Sequence, residues 1–184
     1  MNFLDLTKTR QSVRDYLSKS VEREKIERCL DAARLAPSAN NSQPWRFIVI
    51  DDPKLKNEVA KKTFDRFISF NNFSLQSPVI IAIISERPNF FSRIGGAIKD
   101  KQFNLIDIGI AAEHFCLQAA EEELGTCILG WFDERGVKKI LKVPPWERVE
   151  LLITLGYPRS LNLCPKERKE MDKMRSYNSY NLKK

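Results

Sequence analysis

The sequence predicts an α+β fold of mixed α/β layers, with a sheet flanked by helices, and three features carry that expectation. Val79-Ile80-Ile81-Ala82-Ile83-Ile84 is an unbroken aliphatic run of strand length. Trp45 to Ile50 is a second strand-length segment, rich in aromatic and β-branched residues. From Asn104 to Leu124 the apolar set Leu105, Ile108, Ala112, Phe115, Cys116 and Ala119 recurs at helical period. Strand-length and helix-length segments alternate, the pattern of one sheet covered by helices.

Each element has its own signals. After a short apolar lead, Ser20 can cap a helix with Glu22 and Glu24 in its first turn and Ile26, Cys29, Leu30 and Ala33 on one face, ending at Pro37. The strand Trp45 to Ile50 runs into Asp51-Asp52-Pro53, which sets Asp52 as a cap and Pro53 at the first helical position. That helix is expected to reach about Phe70, with Phe64, Phe67 and Phe70 packing into the core at spacings of three. Pro78 then releases the strand Val79 to Ile84. The long helix is expected to end at Gly125 as its C-terminal cap, and its small residues Gly109, Ala111 and Ala112 permit close approach of another backbone. A strand at Thr126 to Leu129, a helix from Asp133 to Val143 and a strand from Val149 to Leu155 follow, and a basic, polar tail starts at Pro158. Phe90 and Phe91 differ from the other aromatics. They lie in a stretch with Pro88 and Gly95-Gly96 that reads as a surface excursion able to cover a flat ligand.

Composition limits the function classes. With 184 residues, 42% apolar and 30% charged, the chain is expected to form a single domain over 1–184 that buries about 70% of its unfolded surface. No apolar run approaches the ~20 residues of a membrane span, and the N-terminal stretch lacks the signature of an export signal, so a cytoplasmic protein without membrane contact is expected. Four scattered cysteines and one histidine, His114, disfavour a disulfide framework and a His/Cys metal site. The net charge of +7 favours anionic partners. The basic runs Lys54 to Lys62, Arg135 to Lys142 and Lys166 to Arg175 all contain or follow acids, which reads as solvated helix faces and not as a nucleic-acid surface. Asp107 and Glu113 on the long helix read as solvent or dimer-interface charges, and His114 as a structural or interface histidine.

No phosphate-binding glycine motif or nucleophile elbow follows any predicted strand. Two strings remain. Arg10-Gln11-Ser12-Val13-Arg14 brings two guanidiniums and a hydroxyl together, and guanidinium grips phosphate bidentately. Ala36-Pro37-Ser38-Ala39-Asn40-Asn41-Ser42-Gln43-Pro44-Trp45 is a proline-bounded loop of small and amide-bearing residues, whose donors and acceptors match the edge of a flat heteroaromatic ring.

Together with Gly125-Thr126-Cys127-Ile128-Leu129-Gly130-Trp131, Leu155-Gly156-Tyr157-Pro158 and Pro165-Lys166-Glu167-Arg168-Lys169, these strings occur in an order that closely resembles the FMN-dependent nitroreductase family over nearly the whole chain. The resemblance implies a nitroreductase-like fold, with a central mixed sheet flanked by helices and FMN at a homodimer interface. It implies that Arg10, Gln11, Ser12 and Arg14 hold the FMN phosphate and pyrimidine edge, and that Pro37, Ser38, Ala39 and Asn41 reach the flavin of the other subunit. Ile128, Leu129 and Gly130 would lie along the ring, Lys166 and Arg168 would close on the phosphate, and residues 158–184 would form a tail packing on the partner subunit. Where some members place a lysine near the flavin, this chain offers Phe70-Asn71-Asn72-Phe73, with Asn71 as the candidate contact. Phe90, Phe91 and Trp131 are candidates for the substrate pocket. The implied activity is hydride transfer from NAD(P)H to flavin N5 and onward, by a ping-pong mechanism, to a nitroaromatic, quinone or similar flat acceptor, with no essential catalytic side chain. The alternatives are specialised flavin chemistry such as reductive dehalogenation, or a basic binding module without redox activity.

Overall fold

A computed structural model describes residues 2–66, 69–86 and 101–180. The elements are α1 (Phe3–Thr9), α2 (Arg23–Arg34), β1 (Trp45–Ile50), α3 (Pro53–Ala60), β2 (Val79–Ser85), α4 (Phe103–Glu121), β3 (Gly125–Leu129), α5 (Glu134–Leu141), β4 (Arg148–Gly156) and α6 (Met171–Met174), with one-turn helices at Ala39–Asn41 and Asn72–Leu75. The four strands form a sheet of order β1-β2-β4-β3. Each neighbouring pair is antiparallel, and among the described residues the parallel element is an isolated bridge between Ser12 and Thr126.

The alternation of β2 explains the layering, because successive side chains of a strand point to opposite faces. Val79, Ile81 and Ile83 pack with Ile26, Cys29 and Ala33 of α2 and with Ile108, Ala112, Phe115 and Cys116 of α4. Ile80, Ala82 and Ile84 pack on the other face with Val59 and Ala60 of α3 and Val137 of α5. Residues 79–85 are therefore all buried, at about 1.5–3 kcal/mol for each large apolar side chain removed from water. Phe115 lies fully buried beneath Phe47, with ring centroids 6.4 Å apart.

Several local expectations are corrected. The helix of residues 23–34 is capped at Glu22, and Ser20 stands outside it. The helix begun by Pro53, whose cap Asp52 accepts from Leu55 N–H, stops at Ala60. Phe64 is half-buried and Phe70 is 63% exposed, while Phe67 lies outside the described residues. The three-residue spacing of aromatics thus came from a chain that leaves the helix at Lys61. The C-terminus of α4 is closed at Glu123, in the left-handed region (φ 62°). Its N–H bonds Ala120 O and that of Leu124 bonds Ala119 O, the double closure usually built on glycine. Gly125 belongs instead to β3. The apolar lead forms α1, capped by Asn2.

Candidate functional site

Residues 10–14 run along the outer edge of β3. Val13 N–H donates to Thr126 O at 2.8 Å beside the Ser12–Thr126 bridge. This approach requires glycine at 125, since a Cβ there would meet Val13 Cγ2 at 2.6 Å. Tyr16, 1% exposed, anchors the segment from beneath: its phenol donates to Val13 O at 2.8 Å, leaving the Thr154 hydroxyl, 2.7 Å away, to donate to it. Burial pushes the Tyr16 phenol far above its ordinary value, so it keeps that proton.

The cations predicted from the two ends of the chain are brought together. Arg10 Nε lies 3.4 Å from Glu113 Oε1, yet it is buried and makes no hydrogen bond among the described residues. Lys166 donates to Thr7 O and Lys8 O at 2.7 Å and to Arg10 O at 2.5 Å, capping the last turn of α1. Burial depresses the Lys166 ammonium, and Arg10 and Arg168 add repulsion. All three Lys166 donors are therefore engaged by carbonyls, and Arg168 is exposed, with Nη1 on Glu167 O. Gln11 joins the ends of the chain, donating to Asn162 O at 3.1 Å and accepting from Cys164 N–H at 3.0 Å. Arg14 is exposed, with its guanidinium 5.9 Å from the Phe73 ring centroid. Burial raises the Cys127 thiol, while Arg14, a hydrogen bond from Ser12 and Arg10 oppose that rise; the three motif residues thus surround this β3 position.

The proline-bounded loop is wound unusually. Asn40, Asn41 and Gln43 have φ of 53°, 51° and 44°, left-handed values that cost non-glycine residues energy but that asparagine tolerates best. Gln43 N–H donates to Ser38 Oγ at 3.0 Å and Gln43 Nε2 to Asn41 Oδ1 at 3.1 Å. Ala39 N–H points between both carboxylate oxygens of Asp107, each 3.2 Å away. Asp107 is only 4% exposed, which corrects the reading of it as a solvent or interface charge. Its place beside Ile108, one turn before Ala111 on the buried face of α4, is the sequence signal for that role. Ser42 Oγ is buried with no hydrogen-bond partner among the described residues. Pro37 lies just past the end of α2, where Leu35 closes the helix.

At the end of β3, Ile128 is 38% and Trp131 58% exposed, whereas Leu129 is buried. Since Thr126 O points to the outer edge, the strand alternation turns the backbone groups of Ile128 the same way, and Gly130 follows just past the strand end. A Cβ on Gly130 would meet nothing. Asn71, 4% exposed, donates through Nδ2 to Trp131 O at 3.0 Å, so one of its amide hydrogens positions Trp131. Phe90 and Phe91 lie outside the described residues. The site residues therefore fall into two groups: the Arg10–Arg14, Thr126–Gly130 and Lys166 set is contiguous, and the Pro37–Gln43 loop is tied to Asp107.

This arrangement fits an anionic, flat cofactor such as FMN. A buried guanidinium nitrogen without a hydrogen bond, in a cluster of three cations, is where a phosphate gains most, and the open edge from Ile128 to Gly130 offers backbone groups to a ring. Among the described residues no group of three or more His, Cys, Asp or Glu could hold a metal, and no helix is long and apolar enough to cross a membrane.

Fold and cradle thus define a layered α+β protein with a cationic edge site, and the comparisons agree. The nitroreductase family model matches residues 7–72 and 69–157. A nitroreductase family protein of Clostridium novyi NT is 33% identical, with TM-score 0.77, covering 86% of this chain and 88% of that one. An FMN-dependent nitroreductase of Clostridium difficile R20291 is 27% identical, with TM-score 0.79, covering 97% and 100%. The iodotyrosine deiodinase of Thermotoga neapolitana is 28% identical over 174 residues, 84% of this chain and 87% of that protein. The chain belongs to the nitroreductase family and is an oxidoreductase of that family.

Proposed function

We propose that this chain is a homodimeric FMN enzyme that takes hydride from NAD(P)H and reduces a flat acceptor, a nitroaromatic or quinone, in two alternating half-reactions. The observation that carries the reading is the convergence of Arg10, Lys166 and Arg168 beside the β3 edge. When bound, FMN would supply the hydride-accepting and electron-donating chemistry. The chain supplies position and charge. Arg10 and Arg14 grip the phosphate, and Ser12 adds a hydroxyl. Lys166 contributes field and holds the tail against α1, and Arg168 is the exposed cation able to close over the anion. Ile128 and Gly130 line one edge of the ring mainly through backbone groups, and Leu129 backs them from the core. Trp131, held by Asn71, forms a wall for the acceptor, with Phe90 and Phe91 as its proposed cover.

The dimer is supported by the outer face of α4, where Leu105 and Ile106 are 40% and 53% exposed and Gly109 leaves open space. That face accepts a second copy. Pro37, Ser38, Ala39 and Asn41 would then reach the partner's flavin, and the exposed Met171, Met174, Tyr177 and Tyr180 of the tail would pack on the partner. Residues 1–184 act as one domain in this reading, in the cytoplasm.

The test is an anaerobic visible spectrum of the purified protein with NADH and with NADPH. A yellow sample bleached by either supports the reading. A colourless sample that cannot be reconstituted with FMN sinks it in favour of the basic binding module. A second reading, reductive dehalogenation, is favoured by the match to iodotyrosine deiodinase; iodide release from iodotyrosine by the reduced protein would establish it.

A further inference from the structure

We propose that a cavity of about 450 Å3, between the start of α3, residues 18–21 and the entry to β2, binds a small monocarboxylate through Lys56. This site shares no residue with the flavin cradle and does not depend on it.

Lys56 lies in a basic run whose spacing reads as a solvated face, yet it is only 6% exposed. Its ammonium donates to Asn57 Oδ1 and to Leu75 O, both at 2.7 Å. Both acceptors are neutral, and neither accounts for the third donor of an ammonium. No described carboxylate comes within ion-pair distance of it, and burial alone, with no charged neighbour to offset it, depresses its pKa. A buried, hydrogen-bonded cation without a counter-charge is an unfavourable arrangement that one negative charge would complete. The cavity that Lys56 lines also presents Ser18, Ser20, Asn57 and Gln76, which supply hydroxyl and amide donors for an anion. Lys19 at the rim is already engaged, 3.7 Å from Glu22 Oε1 and 3.7 Å from the Tyr157 ring centroid. Asp51, exposed on the same rim, sets the charge limit. One buried cation facing one acidic rim residue favours a monoanion over a phosphate dianion, and the volume admits a carboxylate of several carbons.

The experiment is a calorimetric titration of the purified full chain, with whatever flavin it carries, with sodium propionate at ionic strength held constant by sodium chloride. Saturable binding of one propionate per chain is expected, at least tenfold weaker in Lys56→Gln and unchanged in Lys54→Gln. In the wild-type protein, amide shifts should be confined to residues 18–21, 56–57 and 76–79, a readout that stands even if Lys56→Gln fails to fold. The flavin spectrum should not move. Absence of saturable binding, equal affinity in a folded Lys56→Gln, or shifts centred on residues 10–14 would overturn the proposal. Tighter binding of inorganic phosphate would overturn the carboxylate assignment.

Discussion

Val13 packs so closely over Gly125 that a single methyl group at 125 would lie 2.6 Å from Val13 Cγ2 and 2.7 Å from its Cβ. The contact is what lets the arginine-bearing segment lie against β3. Gly125→Ala is expected to destabilise the protein by about 1–3 kcal/mol, as overpacking does, and to weaken FMN retention because residues 10–14 must move off the strand. Val13→Gly removes all three clashing atoms, Cβ included, so the double variant should recover FMN retention and part of the lost stability. Thermal unfolding and FMN titration of the four proteins check this coupling; independent, additive losses would sink it.

Two cations of the cradle should fail in different ways. Arg10→Ala is expected to weaken FMN binding by at least tenfold with little change in the tail. Lys166→Met removes three bonds to the last turn of α1, so it should also loosen residues 160–170, read as faster limited proteolysis there. Intact FMN retention in both Arg10→Ala and Arg168→Ala would refute the phosphate site.

Asn71 is a positioning residue for Trp131. Asn71→Ala leaves the Trp131 carbonyl without its donor, at a cost of about 1–3 kcal/mol. It should also shift tryptophan fluorescence and raise KM for aromatic acceptors more than it lowers kcat. An unchanged KM with reduced stability would leave Asn71 a purely structural role.

Acid stability should report the Arg28–Glu122 pair, bonded at 2.6 and 2.8 Å. Arg28 holds the Glu122 carboxyl below its ordinary range. A depressed carboxylate stabilises the folded state above its unfolded pKa of about 4.3, and that contribution is lost as pH falls through the lower folded value. Wild type should therefore exceed Arg28→Ala in stability by a constant margin near neutrality, and the gap should close below about pH 4. Urea unfolding at stepped pH measures it, and a gap that widens in acid would contradict the sign.

The sequence made the strands and the start of α3 legible because their signals are local. Trp45–Ile50 has its predicted bounds, and the Asp52-Pro53 signal places the start of α3, since caps and strand runs depend on near neighbours. The end of that helix was lost where Phe64 and Phe70 imitate helical spacing while tertiary contacts take the chain elsewhere. Asp107 and Asn71 show the same limit at the site. Each is a polar residue whose role is set by a backbone group 60 or more positions away, Ala39 N–H in one case and Trp131 O in the other. Spacing along the chain does not encode such a partner. The Arg10–Arg14 string stands out in the sequence, whereas the engagement of every Lys166 donor by carbonyls at the end of α1 does not.

The bonds from Gln11 to Asn162 and Cys164 span 151 and 153 positions, and this separation imposes an order on biogenesis. A nascent chain can complete the sheet with residues up to 156 while the proposed cofactor cradle is still open on one side. On the proposed reading, flavin capture waits until residues 162–166 have left the ribosome, so a stalled or clipped translation product would be folded in its core and colourless.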